Sequence, residues 1–327
     1  MGTSDDTQLL VEIAHLYYDD YLTQDQIAKK YNMSRSLVSK LLTKARTVGI
    51  VQIIIHDAGM RPYHVLENQL KSTFKLHDVI CVNVDESNQP KKRLGHLAAK
   101  YLFRRMYSAK LVAVSSGTTN FALANSFSSP VPFPDVTFVP LSGGLLRNDR
   151  DTQANVIAEI FARQCGGDSL QLHAPVVVDS PEAKRILMKQ HFIKDVLDNA
   201  RKADLAIVGL GSSPIYFEMT EAYLHGIDKY TDNVSDLIKG DISFNFFNEH
   251  GELVDCKWNQ QLMSLSLDEI KKIPEVIGVA GGDEKVESIY IAIRYRLIDT
   301  LITDTTTAKK LLHVSAQQFT KDHVDRI

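Results

Sequence analysis

Seven short apolar runs, most of them β-branched, recur between residues 79 and 304 with helix-length segments between them, and this alternation limits the fold more than any other feature of the chain. They are VICVNV at 79–84, LVAVSSG from 111, VTFVPLSGG from 136, APVVVDS from 174, LAIVGLG from 205, VIGVAGG from 276 and LITD from 301. Runs this apolar leave no polar side for solvent, so they read as strands buried on both faces. Helical patterns at 93–107, 153–164, 182–200 and 284–297 supply covering layers, which specifies an α/β domain on a parallel sheet. Ligands of such sheets gather beyond the carboxyl ends of the strands.

Three of these strand ends carry glycine turns. In Ser115-Ser116-Gly117-Thr118-Thr119-Asn120 the chain leaves a strand and opens a helix near Phe121. Gly117 permits close backbone approach, and the freed amides with the flanking hydroxyls suit a phosphate or similar anion. Plain turn and cap residues are the other reading of the same loop. Ser142-Gly143-Gly144 closes a second strand and Gly281-Gly282-Asp283-Glu284-Lys285 a third, with Lys285 early on the next helix, where an ammonium can reach back to an anion. Neither the phosphate loop of nucleotide hydrolases nor the dinucleotide fingerprint is present, and Gly209-Leu210-Gly211 reads as a tight strand end.

The N-terminal segment TQDQIAKKYNMSRSLVSKLLTKART, Thr23 to Thr47, superimposes two patterns. Ile27, Ala28, Tyr31, Met33, Val38, Leu41 and Leu42 fit two short helices packed across a tight turn, with Leu9, Leu10, Ile13, Ala14, Leu16 and Tyr17 bracing them from an earlier helix. Asn32 tolerates a left-handed turn, and Ser34 stands where an N-cap belongs for a helix running to about Thr47. Thr23, Gln24, Arg35, Ser36, Ser39, Lys40 and Lys44 form the other set, donors for phosphate oxygens and base edges in a major groove. Residues 23–48 hold six lysines and arginines against Asp25, a local balance of +5 in a chain of net charge -3. Positive charge is thus concentrated where a polyanion would dock, as in a helix-turn-helix DNA-binding module.

The 327 residues, 44% hydrophobic and 24% charged, suit one small module and one large domain. IVQIIIH after Gly49 reads as a strand or wing, and DAGMRP at 57–62 as a linker, so the expected domains are 1–57 for DNA and 58–327 for effector binding and oligomerisation. Cys81, Cys165 and Cys256 are too dispersed for a zinc site or disulfide framework. No apolar run is long enough for a membrane helix, and MGTSDDTQLL resembles neither a secretory leader nor a myristoylation signal. The expectation is a cytoplasmic protein with no membrane partner, metal or cofactor.

As a set, these residues resemble the SorC family of sugar-responsive bacterial transcription regulators, grouped with the Bacillus-type deoxyribonucleoside regulator DeoR. Beside the N-terminal motif, the resemblance rests on SSGTTN at 115–120, VPLSGGL at 139–145, KDVLDNARKADLAIVGLGS at 194–212, GDISFNFFNEHGELV at 240–254, VIGVAGGDEK at 276–285 and LITDTTTAKKLL at 301–312. It implies a helix-turn-helix joined to an effector domain similar to ribose-5-phosphate isomerase and glucosamine-6-phosphate deaminase, binding phosphorylated sugars and assembling into dimers or tetramers on operator DNA. Carried over by block, it has Ser116, Gly117, Thr118, Thr119 and Asn120 hold the phosphate, Gly143 and Gly144 border it, Gly281 and Gly282 line the third turn and Lys285 balance the charge. Asp241 and Asp304 take sugar hydroxyls, although Asp304 also fits a cap for the helix near Thr306. Ser116 stands where many members carry tryptophan, and Ser142 where some carry an imine-forming lysine. Asn248 replaces a common aspartate, and Arg294-Tyr295-Arg296 a glycine-rich helix end; these departures bear on which sugar is taken.

Two functions compete on these residues. One is a DNA-binding transcription regulator, expected from the resemblance to repress genes of carbohydrate or nucleoside catabolism under the control of a phosphorylated sugar. The alternative is a sugar-phosphate isomerase or deaminase with an accessory helical module. Such an enzyme needs a carboxylate base and usually a histidine or second acid beside the open-chain sugar, and no motif histidine accompanies Asp241 or Asp304.

Overall fold

The computed structural model describes residues 4–51, 63–84, 89–144, 150–212 and 235–324. The chain divides into two compact units, Met1–Arg61 and Pro62–Ile327.

The first unit holds α1 (Ser4–Tyr18), α2 (Gln24–Lys30) and α3 (Arg35–Thr47). Thr23 caps α2 in a reciprocal box: its hydroxyl accepts from Gln26 N at 3.3 Å while Gln26 Oε1 accepts from Thr23 N at 2.8 Å. The turn passes through Asn32 at φ 51°, and Ser34 Oγ accepts from Leu37 N at 3.2 Å to cap α3. Ile13, Ile27, Ala28, Val38 and Leu42 are buried together, and Tyr31, Met33 and Leu41 pack against them. The expected pair of short helices braced by an earlier one is what forms. Of IVQIIIH, Ile50 and Val51 form no strand; its other residues and the expected linker at 57–62 lie outside the described residues.

In the second unit, α4 (His64–Phe74) precedes β1 (Asp78–Val82), α5 (Pro90–Met106), β2 (Leu111–Val114), α6 (Thr118–Ser126) and β3 (Thr137–Pro140). Next come α7 (Ala154–Cys165), β4 (Asp168–Ser169), α8 (Pro181–Leu187), α9 (His191–Arg201) and β5 (Leu205–Ser212). Then follow the hairpin β6 (Gly240–Ile242) and β7 (Asn245–Phe247), and the short helices α10 (Lys257–Gln261) and α11 (Leu267–Ile270). The described elements end with β8 (Val276–Val279), α12 (Val286–Arg294), β9 (Thr300–Asp304) and α13 (Thr305–Val324). The strands order as β1-β9-β8-β5-β2-β3-β4, all parallel, and β6 with β7 adds an antiparallel hairpin to the far end of β5.

Alternation along the strands builds a core on each side of the sheet. Ala113, Val139, Val208 and Leu301 face a layer with Leu70 of α4, Leu197 of α9, Ile289 of α12 and Leu311 of α13. Val112, Val114, Ile207 and Ile302 face the other, with Leu102 of α5, Leu123 of α6 and Phe161 of α7.

The structure departs from the sequence reading in three elements. APVVVDS forms no sheet strand: Pro175 lacks the N–H that a ladder needs, and the segment makes isolated bridges, Pro175 with Gly144 and Val177 with Leu262. The helix expected over 182–200 is two, α8 and α9, with nothing in the composition of the break to explain it. The helix expected from 284 begins with a 3₁₀ turn, Asp283–Lys285, ahead of α12.

Candidate functional site

A cavity of about 530 Å³ opens at the carboxyl ends of β2, β5, β8 and β9, with residues from the start of α5 and from the β6–β7 turn completing its wall. Of the twelve residues expected at a ligand, it brings ten together: Ser116, Gly117, Thr118, Thr119, Asn120, Asp241, Gly281, Gly282, Lys285 and Asp304.

The end of β2 supplies the positive pole. Gly117 sits at φ 131°, ψ 154°, a conformation open almost only to glycine, and a Cβ there would meet nothing within 4 Å. Backbone conformation, not crowding, therefore demands the glycine. No side chain caps α6, so the amides of Thr118, Thr119 and Asn120 lack helical acceptors at the edge of the cavity, and the helix dipole adds to them. The loop is tied down elsewhere: Gly117 N donates to Thr152 O at 2.8 Å, and Ser116 Oγ accepts from Ala154 N at 3.1 Å. Asn120 differs from the expectation in its side chain. Its Nδ2 donates to Ser115 O and Oγ at 3.1 and 2.9 Å, so the side-chain amide braces the strand end.

Gly143 and Gly144 do not border the cavity, which corrects their expected role. Gly143 N donates to Met263 O and Gly144 N to Ala174 O, both at 2.8 Å, so neither amide is free. A Cβ on Gly143 would lie 2.4 Å from Pro175 O. These glycines let two backbones cross closely.

Gly281 and Gly282 line the cavity by wrapping Asp304. Gly282 N donates to Asp304 Oδ2 at 3.1 Å and to Thr307 Oγ1 at 2.9 Å, and a Cβ on Gly281 would lie 2.2 Å from Asp304 Oδ2. Asp304 also accepts from Thr307 N at 2.7 Å and Thr307 Oγ1 at 2.7 Å. It thus caps the first turn of α13 and fixes the glycine turn, the structural role that its sequence context allowed.

Asp241 and Lys285 face each other electrostatically in this cavity. Burial pushes the Asp241 carboxyl up to about 7, against the pull of the Phe244 amide and the Lys285 ammonium. Burial lowers the Lys285 ammonium, Asp241 supports its charge, and Lys91 on the same wall opposes it. Asp241 Oδ2 accepts from Phe244 N at 3.0 Å. Sequence reasoning missed Lys91, Leu94, Ser212, Ser243 and Phe244, all on the wall. Pro90-Lys91 at a helix start was the available signal for the first two. Ser212 ends β5, and Ser243 and Phe244 sit on a turn without a recognisable signature: they have φ 49° and 67°, values usual for Asn-Gly and costing about 1–3 kcal/mol for other residues.

In the N-terminal unit, Arg35, Ser36, Ser39, Lys40 and Lys44 are all exposed on α3, opposite buried Val38, Leu42 and Ala45. Arg35 Nε lies 3.9 Å from Asp25 Oδ1, an exposed pair worth little. Gln24 is half-buried at the start of α2, and the hydroxyl of exposed Thr23 is occupied in its capping box. Leu37, 43% exposed among the polar residues of α3, was not singled out in the sequence. Among the described residues no helix is long and apolar enough to cross a membrane, and the three cysteines are free and buried.

An α/β unit with an anion-ready cavity, following a three-helix unit with an exposed basic helix, defines the class of a ligand-responsive regulator. Residues 63–313 match the family described as "Putative sugar-binding domain", and the chain belongs to this family, that of the SorC and DeoR-type transcription regulators. It is 30% identical to the transcriptional regulator LsrR of Enterobacter sp. (strain 638) over 93% of each chain. It is 29% identical to the deoxyribonucleoside regulator of Bacillus subtilis (strain 168), over 94% of this chain and 97% of that one. Among solved structures, the full-length sorbitol operon regulator SorC from Klebsiella pneumoniae superposes with a TM-score of 0.71 at 28% identity, covering 94% of this chain and all of that one. The chain is a transcription regulator with a sugar-binding domain, not an isomerase or deaminase.

Proposed function

We propose that the cavity binds a phosphorylated sugar and that its occupancy controls how the N-terminal unit holds operator DNA, the chain acting in the cytoplasm as a homodimer or homotetramer that represses carbohydrate or nucleoside catabolism genes. In this reading residues 1–57 are a helix-turn-helix DNA-binding domain and residues 58–327 an effector-binding and oligomerisation domain, built like ribose-5-phosphate isomerase and glucosamine-6-phosphate deaminase. The carrying observation is the uncapped start of α6, whose Thr118, Thr119 and Asn120 amides border a cavity that also holds Lys285 and Lys91. A phosphate takes the amides, and the polar wall at Asp241 and Lys285 meets the sugar hydroxyls. The sorbitol operon and deoxyribonucleoside regulators among its relatives support a sugar-derived effector.

The test has two stages. Thermal shift against a panel of sugar phosphates identifies binders, since a ligand at a hundred times its dissociation constant stabilises by about 2.7 kcal/mol. Gel shifts on the operator with those binders then measure control. Operator affinity unmoved by every sugar phosphate that binds would refute the proposal.

A further inference from the structure

We propose that Phe244 sets the length of the ligand that the cavity accepts. This rests on reading the cavity as a sugar-phosphate site.

The β6–β7 hairpin turns through two residues, Ser243 and Phe244, between the paired Ile242 and Asn245. Both have positive φ, which two-residue hairpins of this hand require and which Asn and Gly ordinarily supply. A phenylalanine at φ 67° is a steric outlier that survives only where surrounding bonds over-determine it. Here they do. Phe244 N donates to Asp241 Oδ2 at 3.0 Å, Trp258 Nε1 donates to Phe244 O at 2.8 Å, and Asn245 Nδ2 reaches Ile242 O, Ser243 O and Leu265 O. The turn is therefore held in a conformation that its own residues disfavour, and it seats Phe244 with part of its surface on the cavity wall and the rest packed in the cluster of Val176, Phe246 and Trp258.

The amides of Thr118, Thr119 and Asn120 anchor an anionic end in that same cavity. With one end anchored, the remaining wall decides how much chain follows the phosphate. Leu94 and Leu210 are placed by a helix and a strand, whereas Phe244 sits on a turn whose backbone bonds a smaller residue preserves. The bonds with Asp241 and Trp258 use its N–H and C=O, so Phe244→Gly and Phe244→Asn keep them and suit positive φ better, while giving up the packing of the ring against Val176, Phe246 and Trp258.

Isothermal titration of the full chain, wild type and both variants, with inorganic phosphate, ribose 5-phosphate and sorbitol 6-phosphate tests this. The expected result is inorganic phosphate bound within about twofold of wild type and an affinity ratio shifted towards the longer sorbitol 6-phosphate by about tenfold or more. A ratio that stays put or moves towards ribose 5-phosphate in both variants overturns the proposal. Loss of inorganic phosphate binding in both variants also overturns it, because the residue then serves only the fold. If wild type binds neither these two nor any other sugar phosphate of the thermal-shift panel, the cavity reading itself falls and this proposal with it.

Discussion

Burial holds the Asp241 carboxyl protonated up to about pH 7, although an aspartate in an unfolded chain ionises near 3.8. Between those values the unfolded chain binds fewer protons than the folded one, so this residue's contribution to stability declines as pH rises and becomes constant above about 7. The slope is at most about 1.4 kcal/mol per pH unit. Asp241→Asn has no such titration. Its melting temperature minus that of wild type is expected to climb from pH 5 to about 7 and then level off, measured by calorimetry on the ligand-free protein. Parallel curves for the two proteins would show that Asp241 is ionised throughout. Residues such as this one were only half legible in the sequence. A glycine-aspartate pair marks Asp241 as special, but the depth of its burial and its opposition to Lys285, 44 positions on, come from the sheet bringing β6 beside the turn after β8. Gly143 and Gly144 show the converse: paired glycines serve an anion or a backbone crossing equally well, and only the neighbouring chain at Pro175 decides.

At the scale of single elements, those with local causes were the readable ones. The caps at Thr23 and Ser34, the left-handed Asn32 and the doubly buried strands each follow from residues within a few positions. The β6–β7 turn was not readable, because Ser-Phe carries none of the Asn-Gly signal and is imposed by Trp258, Asn245 and Asp241. Helix α3 gives the prediction for this scale. If α3 is the helix that holds operator DNA, as proposed, residues on base edges and residues on phosphates should behave differently. Arg35→Ala is expected to cost about 1–3 kcal/mol of operator affinity and to relax sequence preference, since a guanidinium freed from a weak exposed pair with Asp25 reads base edges well. Lys44→Ala is expected to weaken all sequences alike and to flatten the salt dependence by about one unit. Fluorescence anisotropy on specific and scrambled duplexes at several salt concentrations separates the two. A uniform loss for Arg35→Ala would place that residue on phosphate instead.

For the whole molecule, the proposal that ligand and DNA communicate carries a thermodynamic obligation that no single-site experiment meets. If the effector changes operator affinity by some factor, the operator must change effector affinity by the same factor, because both paths connect the same four states. A coupling of about 1–3 kcal/mol corresponds to about 5- to 150-fold. The effector can exert it only by preferring one arrangement of the protein over another, and a ligand that binds both arrangements equally shifts nothing however tightly it binds. The α6 amides proposed to anchor the effector belong to the second compact unit and the exposed basic helix to the first, so the proposed coupling must pass between the two. The expected outcome is that titrating the effector into protein saturated with operator duplex gives a dissociation constant displaced from the DNA-free value by the factor that gel shifts report for the operator. Equal constants with and without operator, alongside an apparent effect on gel mobility, would mean that the ligand alters assembly on the gel and not affinity for DNA.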